Sequence, residues 1–227
     1  ALGTDGKEKD LPLTITSDSS KNRINVYYVK DSYDYSVHYF YDGKEDTTKT
    51  VTNSATFGSS ISSYTDKNIA GYKFEKTENL PLTITSDASK NKINVYYVKD
   101  SFEYTVHYFY DGIEDTSKIE TKSATYGSEI KTYTDKAITG YKKTSAKALG
   151  TDGKEKELPL TITADVNKNK INVYYVKDSY DYTVHYFYDG KEDTSKVETA
   201  KAIFDSEIKT YKDKNIDGYR FDKTENL

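Results

Sequence analysis

The residues of this chain that could do chemistry are few, and they recur. His38, His107 and His185 are its three histidines, and each stands second in the same seven residues, VHYFYDG, at 37–43, 106–112 and 184–190. Three histidines invite a metal or acid–base reading, and the acidic Asp42, Glu45 and Asp46 after the turn invite a calcium reading. No second His stands three or four residues away, however, as a zinc ligand pair would require. The acidic stretch lacks the spacing of an EF-hand calcium loop, and lysines interrupt it. Histidines at equivalent places in separate repeats are not expected to converge on one ion. The chain has no Cys, which removes disulfides, zinc–thiolate sites and thiol nucleophiles. Glycoside hydrolysis needs two carboxyls facing each other across a cleft, and no such pair stands out. The reading is a protein that is not an enzyme, with no catalytic residue, metal or cofactor.

Recognition remains. Val37, Tyr39 and Tyr41 alternate with His38 and Phe40, the period of a strand with one face inward. INVYYV at 93–98 alternates likewise, with Ile93, Val95 and Tyr97 expected inside and Tyr96 and Val98 outside. His38, Phe40, Tyr96 and Val98 would then share an open face, as would His107, Phe109, Tyr174 and Val176, while His185 and Phe187 begin a third. Aromatic faces beside polar groups could receive sugar rings through CH contacts and hydrogen bonds. The same aromatic pairs also stabilise a sheet that binds nothing.

The elements that must position these residues repeat as well. The three His are 69 and 78 residues apart. The difference lies between GYKFEKTENLP at 71–81 and GYKKTSAKALGTDGKEKELP at 140–159, where Thr151-Asp152-Gly153-Lys154 marks a longer hairpin loop. The opening ALGTDGKEKDLPLTIT reads as the same long version. In each repeat Asp-Gly predicts a tight turn, KEDTTKTVTNSATF an exposed second strand, and LPLTIT and INVYYV a hairpin around SDASKNK. Ile130, Tyr133, Ala137 and Ile138 fall on a helical stripe, with Ser128 as N-cap and Gly140 as the stop. Ile61, Tyr64 and Ile69, then Ile208, Tyr211 and Ile216, repeat it. The prediction is a short helix covering one sheet face.

Leu, Ile, Val and Phe together make 44 of 227 residues, near the disordered range, but 24 Tyr can bury rings while keeping hydroxyls wet. A net charge of −4 leaves no electrostatic footprint for nucleic acid, and no apolar run approaches the ~18 residues of a membrane span. The absence of a starting Met, signal peptide and anchor motif reads as a piece of a longer protein.

VHYFYDG, the Gly-Ser turn, GYKF or GYKK, LPLTIT and INVYYV, in this order and period, resemble the MucBP (mucin-binding protein) repeat of Gram-positive surface proteins, over nearly the whole chain. That resemblance implies an α+β, mainly β fold of β-grasp-like (ubiquitin-like) modules whose first and last strands run parallel. It also implies an extracellular place on the bacterial cell wall and mucin glycans or host glycoproteins as partners; related repeats also serve as spacers. VKDSFEYTV at 98–106 lacks Gly and Pro, so modules joined pole to pole should form a stiff rod. The family frame gives half a repeat at 1–32, whole repeats at 33–101 and 102–179, and a leading half at 180–227. Cutting before Pro12, Pro81 and Pro159 is the other frame. In the first frame the half-repeats expose strand edges and should complement each other end to end between molecules. A Lys–Asn isopeptide cross-link is chemically open, and no trio of residues is singled out for it.

Overall fold

The structure is a computed structural model that describes Lys7 and residues 10–225. The opening ALGTDGKEKD therefore lies outside the described residues except for Lys7 and Asp10. The chain divides into two compact units, residues 1–68 with 74–98 and residues 69–73 with 99–227.

In the first unit the central strand is Ser32–Tyr41. It turns through Asp42 and Gly43, at φ 50° and 76°, into the short strand Lys44–Glu45, as the Asp-Gly signal predicts. Val51–Thr56 pairs with its first half antiparallel, and Lys92–Lys99 pairs with it in parallel, Val37 opposite Ile93 and Tyr39 opposite Val95. Tyr72–Glu78 flanks Lys92–Lys99 on the far side. Of the residues that the alternation marks as inward, Val37, Tyr39, Ile93, Val95 and Tyr97 are buried and Tyr41 is half-buried.

The second unit repeats this layout. Ser101–Tyr110 pairs in parallel with Lys170–Lys177, which is bordered by Tyr141–Leu149. Around Gly150–Lys154 that edge strand folds back as Glu155–Glu157, a hairpin built from the extra residues of the long version. Tyr104, Val106, Tyr108, Leu160, Ile162, Ile171, Val173 and Tyr175 form one buried cluster. The remainder of the unit holds Ser179–Val184 paired with Glu198–Ile203, and Phe187–Tyr188 paired with Lys191–Glu192.

Two expectations are overturned. The helix is absent: residues 62–69 and 131–138 carry no regular secondary structure, and the helical segments described are 3-10 turns such as Thr47–Lys49 and Thr116–Lys118. The fold is mainly β without the α component. SSYTDKNI and KTYTDKAI are short and rich in Ser, Thr and Asp, which favour helices poorly. Their backbone groups instead bond to tyrosine hydroxyls from the core. Tyr39 donates to the Thr65 carbonyl at 2.6 Å and Tyr41 to that of Lys67 at 2.8 Å, while the Lys67 N–H donates to the Tyr97 hydroxyl at 3.2 Å. Tyr108, Tyr110 and Tyr175 hold Thr134 and Lys136 in the same way. The segment is thus an extended strap.

The hairpin between LPLTIT and INVYYV does not form either. Leu82–Thr83 pairs with Ser60–Ile61, and Leu160–Thr161 with Glu129–Ile130, at the start of each strap. A buried Asn closes the turn between the two segments and ties it to the central strand. The Asn91 side chain accepts from the Thr85 N–H at 2.9 Å, and donates to the Thr85 carbonyl at 2.9 Å and the Asp34 carbonyl at 3.1 Å. Asn169 does the same with Thr163 and Glu103.

The second unit also contains the same glycine–aromatic contact twice. Gly71 (φ 91°) lies under the Tyr126 ring and Gly140 (φ 82°) under the Phe204 ring, so that an added Cβ would come within 2.5 and 2.3 Å of the ring atoms. Asp100 and Asp178 tie each contact together. Their N–H groups donate to Gly71 and Gly140, and their carbonyls accept from Tyr126 and Phe204. Their carboxylates pair with Lys73 and Lys142, each at 2.9 Å. Among the described residues no helix is long and apolar enough to cross a membrane.

Two outcomes follow from the strap. Tyr175→Phe removes the hydroxyl shared by Asp135 and the Lys136 N–H; it should cost about 1–3 kcal/mol in urea unfolding and speed exchange of the Lys136 amide. Burial holds Tyr108 up at about 12, and burial followed by hydrogen bonds to Asp66 and Asp135 raises Tyr97 and Tyr175 above the ordinary value of 10.0. The folded state keeps these protons where the unfolded chain gives them up. The contribution of these three tyrosines should be constant below pH ~10 and be lost as pH rises beyond it, read as a urea midpoint that declines on the alkaline side.

Candidate functional site

The strap occupies one face of each sheet, and alternation sends the candidate residues to the other. In the first unit Phe40 and Tyr96 are direct partners across the parallel pair, as are His38 and Asn94. The two rings stack at 4.8 Å between centroids and 20° between planes. Tyr96 donates its hydroxyl to Glu78 at 2.8 Å, and Lys76 lies 4.8 Å from the centre of the Tyr96 ring while pairing with Glu78 at 2.8 Å. The bonds from Lys76 and then Tyr96 hold the Glu78 carboxyl below its ordinary range.

In the second unit Phe109 and Tyr174 stack at 5.0 Å and 25°. The Tyr174 hydroxyl bonds to Glu155, which also accepts from Asn172 at 2.6 Å. Burial, then Glu155, pushes Tyr174 up to about 12. Val98 is half-buried and Val176 exposed on the same side. The third copy presents His185 and an exposed Phe187, and no ring partner for Phe187 among the described residues.

Each histidine has two side-chain partners, a pairing that the sequence reading did not make, although it named Glu45 among the acidic residues after the turn. His38 Nδ1 lies 2.6 Å from Glu45 and its Nε2 lies 2.7 Å from the Ser36 hydroxyl. His107 joins Glu114 and Thr105, and His185 joins Glu192 and Thr183. A carboxylate only accepts, so Nδ1 donates to it and the neutral ring's Nε2 accepts from the hydroxyl. The recurrence was available: a Glu follows each His by seven residues and a Ser or Thr precedes it by two. The Asp-Gly turn converts the first interval into neighbours, because Phe40 pairs with Glu45 and so places Glu45 on the His38 face.

Hydroxyl, imidazole and carboxylate in series have the connectivity of an acyl-transfer triad. Here the hydroxyl belongs to a residue inside a paired strand, since Ser36 donates its N–H to Asn91 and lies opposite both Thr52 and Lys92. The arrangement fixes the imidazole and ties the turn to the sheet. Asp42 sits in the turn itself, and Asp46 caps the 3-10 turn Thr47–Lys49 by accepting from the Thr48 N–H. Among the described residues no three His, Asp or Glu side chains are grouped to hold a metal ion.

No family model matches the chain, and no curated protein matches it. Among solved structures, one match is "Crystal structure of Mub-RV", 14% identical, covering 64% of this chain and 98% of that chain, with a TM-score of 0.23. A superposition at that score carries no argument about this chain's fold or activity.

His107→Ala should cost about 1–3 kcal/mol in stability, by leaving Thr105 and Glu114 without their shared partner, and should leave the Phe109–Tyr174 stack in place. Chemical denaturation and the aromatic circular dichroism signal would read the two effects separately.

Proposed function

We propose that this chain is a repeat region of a bacterial cell-surface adhesin, built of tandem β-grasp-like modules at 33–101 and 102–179 with partial modules at 1–32 and 180–227. In this reading the region projects from the cell wall and its modules bind mucin-type glycans or host glycoproteins. No chemical step is assigned to it. The observation that carries the reading is the recurrence, on both complete repeats, of one face: a fixed His, a stacked aromatic pair and a carboxylate on the tyrosine hydroxyl. His38, Phe40 and Tyr96 form the first such face, and His107, Phe109 and Tyr174 the second. His185 and Phe187 are the start of a third. The motif order VHYFYDG, GYK, LPLTIT and INVYYV supports the same family reading.

A second reading is a stalk without a ligand of its own. It is favoured by the stacking itself, since Phe40 covers one side of the Tyr96 ring and Lys76 lies over that ring as well.

A glycan array probed with this chain separates the two. Binding should appear on mucin-type glycans and fall at least about tenfold in Phe109→Ala, with an unfolding midpoint that shows the variant still folded. Silence across the array would select the stalk.

A further inference from the structure

We propose that Gly140, Asp178 and Phe204 form a latch through which neighbouring repeats hold each other, the turn at Phe204 clamping the end of the strap in the repeat before it. The coupling is independent of the glycan reading. Asp178 is the one residue between the strands Lys170–Lys177 and Ser179–Val184, so it is where one repeat passes into the next. Every polar group it has is engaged. Its N–H donates to the Gly140 carbonyl at 2.8 Å, and its carbonyl accepts from the Phe204 N–H at 2.8 Å. Its carboxylate accepts from the Ser179 N–H at 2.8 Å and pairs with Lys142 at 2.9 Å.

On one side of the latch, Gly140 ends the strap of its own repeat. The Tyr141 N–H turns back to the Ile138 carbonyl at 3.0 Å, and the Lys136 N–H is held by the Tyr175 hydroxyl at 3.1 Å. The φ of Gly140 is 82°, a left-handed angle that by itself would also admit Asn. The Phe204 ring does not admit it, because three ring atoms would lie 2.3 to 2.4 Å from a Cβ. The glycine is therefore set by contact as well as by angle.

On the other side, Phe204 belongs to the turn after Glu198–Ile203, which the Ser206 N–H closes on the Ile203 carbonyl at 3.1 Å. Its ring stands edge-on to Tyr180 of its own repeat at 6.1 Å, so one side chain packs on a strand of one repeat and on a glycine of the other. The same set recurs in this unit around Asp100. That residue donates to Gly71 at 2.9 Å, accepts from the Tyr126 N–H at 2.8 Å and the Ser101 N–H at 2.8 Å, and pairs with Lys73 at 2.9 Å. The Tyr126 ring is edge-on to Phe102 at 6.2 Å. Phe and Tyr exchange at the clamping position, so what it needs is a ring. Because one residue's bonds serve both sides, opening either side weakens the other, which is nearest-neighbour coupling between repeats.

Amide hydrogen exchange on the whole chain reads the coupling in both directions. Phe204→Ala should speed exchange of the Lys136 and Tyr141 amides, in the preceding repeat, by about tenfold or more. Gly140→Asn keeps the left-handed angle but not the room beneath the ring. It should speed the Phe204 and Ser206 amides by a similar factor, since a coupling acts equally from either end. In both variants the amides of the paired strands Ser101–Tyr110 and Lys170–Lys177 should keep their rates. A change that stops at Asp178 in either variant would overturn the proposal. So would an even rise across those two strands, which marks general unfolding and not the release of a latch.

Discussion

A tyrosine with its ring in the core and its hydroxyl on a neighbour's backbone is the interaction on which the rest of this structure depends. The chain is poor in aliphatic residues, and Tyr39, Tyr97, Tyr108 and Tyr175 are the largest of its fully buried side chains. Each buried ring contributes roughly 2–3 kcal/mol, and each hydroxyl, if left unbonded, would take back a comparable amount. The strap resolves this conflict: the carbonyls of Thr65 and Lys67, and of Thr134 and Lys136, accept the phenols. Those carbonyls can do so because they are not engaged in a helix. Glu120 adds a charged tie in the second repeat, pairing with Lys136 of the strap at 2.7 Å, while Lys122 lies 2.9 Å from its other oxygen as an ion pair without hydrogen-bond alignment. Lys136 and then Lys122 hold the Glu120 carboxyl down at about 2.

What was legible follows from the range of the interactions involved. The alternation at 37–41 and the Asp-Gly turn are local, and both appear as read. Parallel pairing of the first and last strands came from family likeness, because periodicity does not encode strand direction. The helical stripe at 130–138 misled because an extended strap that dips inward at Ile130 and Tyr133 produces the same spacing. What decides the conformation there is a hydroxyl from Tyr175, 39 residues from the Lys136 N–H that it meets. Asn91 is similar: its bond to the Asp34 carbonyl spans 57 residues, and no pattern within the SDASKNK turn announces it. The His–Glu pairs are different. Their interval recurs three times, so the turn register alone would have placed Glu45, Glu114 and Glu192 beside their histidines.

The two complete repeats show how a fixed scaffold varies its outer face. In the first, the carboxylate on the Tyr96 hydroxyl is Glu78, carried by the edge strand Tyr72–Glu78. In the second, the edge strand continues into a hairpin whose returning arm delivers Glu155 to Tyr174. The same hydroxyl is therefore met by carboxylates of different chain origin, and the longer edge strand also adds Ala148 to the buried cluster. A cation comes with the first arrangement, where Lys76 lies over Tyr96, and none among the described residues lies over Tyr174.

That difference bears on what either face can hold. A sugar ring packs against an aromatic face, and stacking Phe40 on Tyr96 or Phe109 on Tyr174 already covers one side of every ring involved. The lysine competes for further ring surface at Tyr96 in the first repeat, and none among the described residues does so at Tyr174 in the second. Glu155 also accepts from Asn172, so its carboxylate is aligned beside the ring before any ligand arrives. Each stacked pair therefore has a carboxylate held beside its tyrosine before anything else arrives, fixed by Lys76 and Tyr96 at Glu78 and by Asn172 and Tyr174 at Glu155.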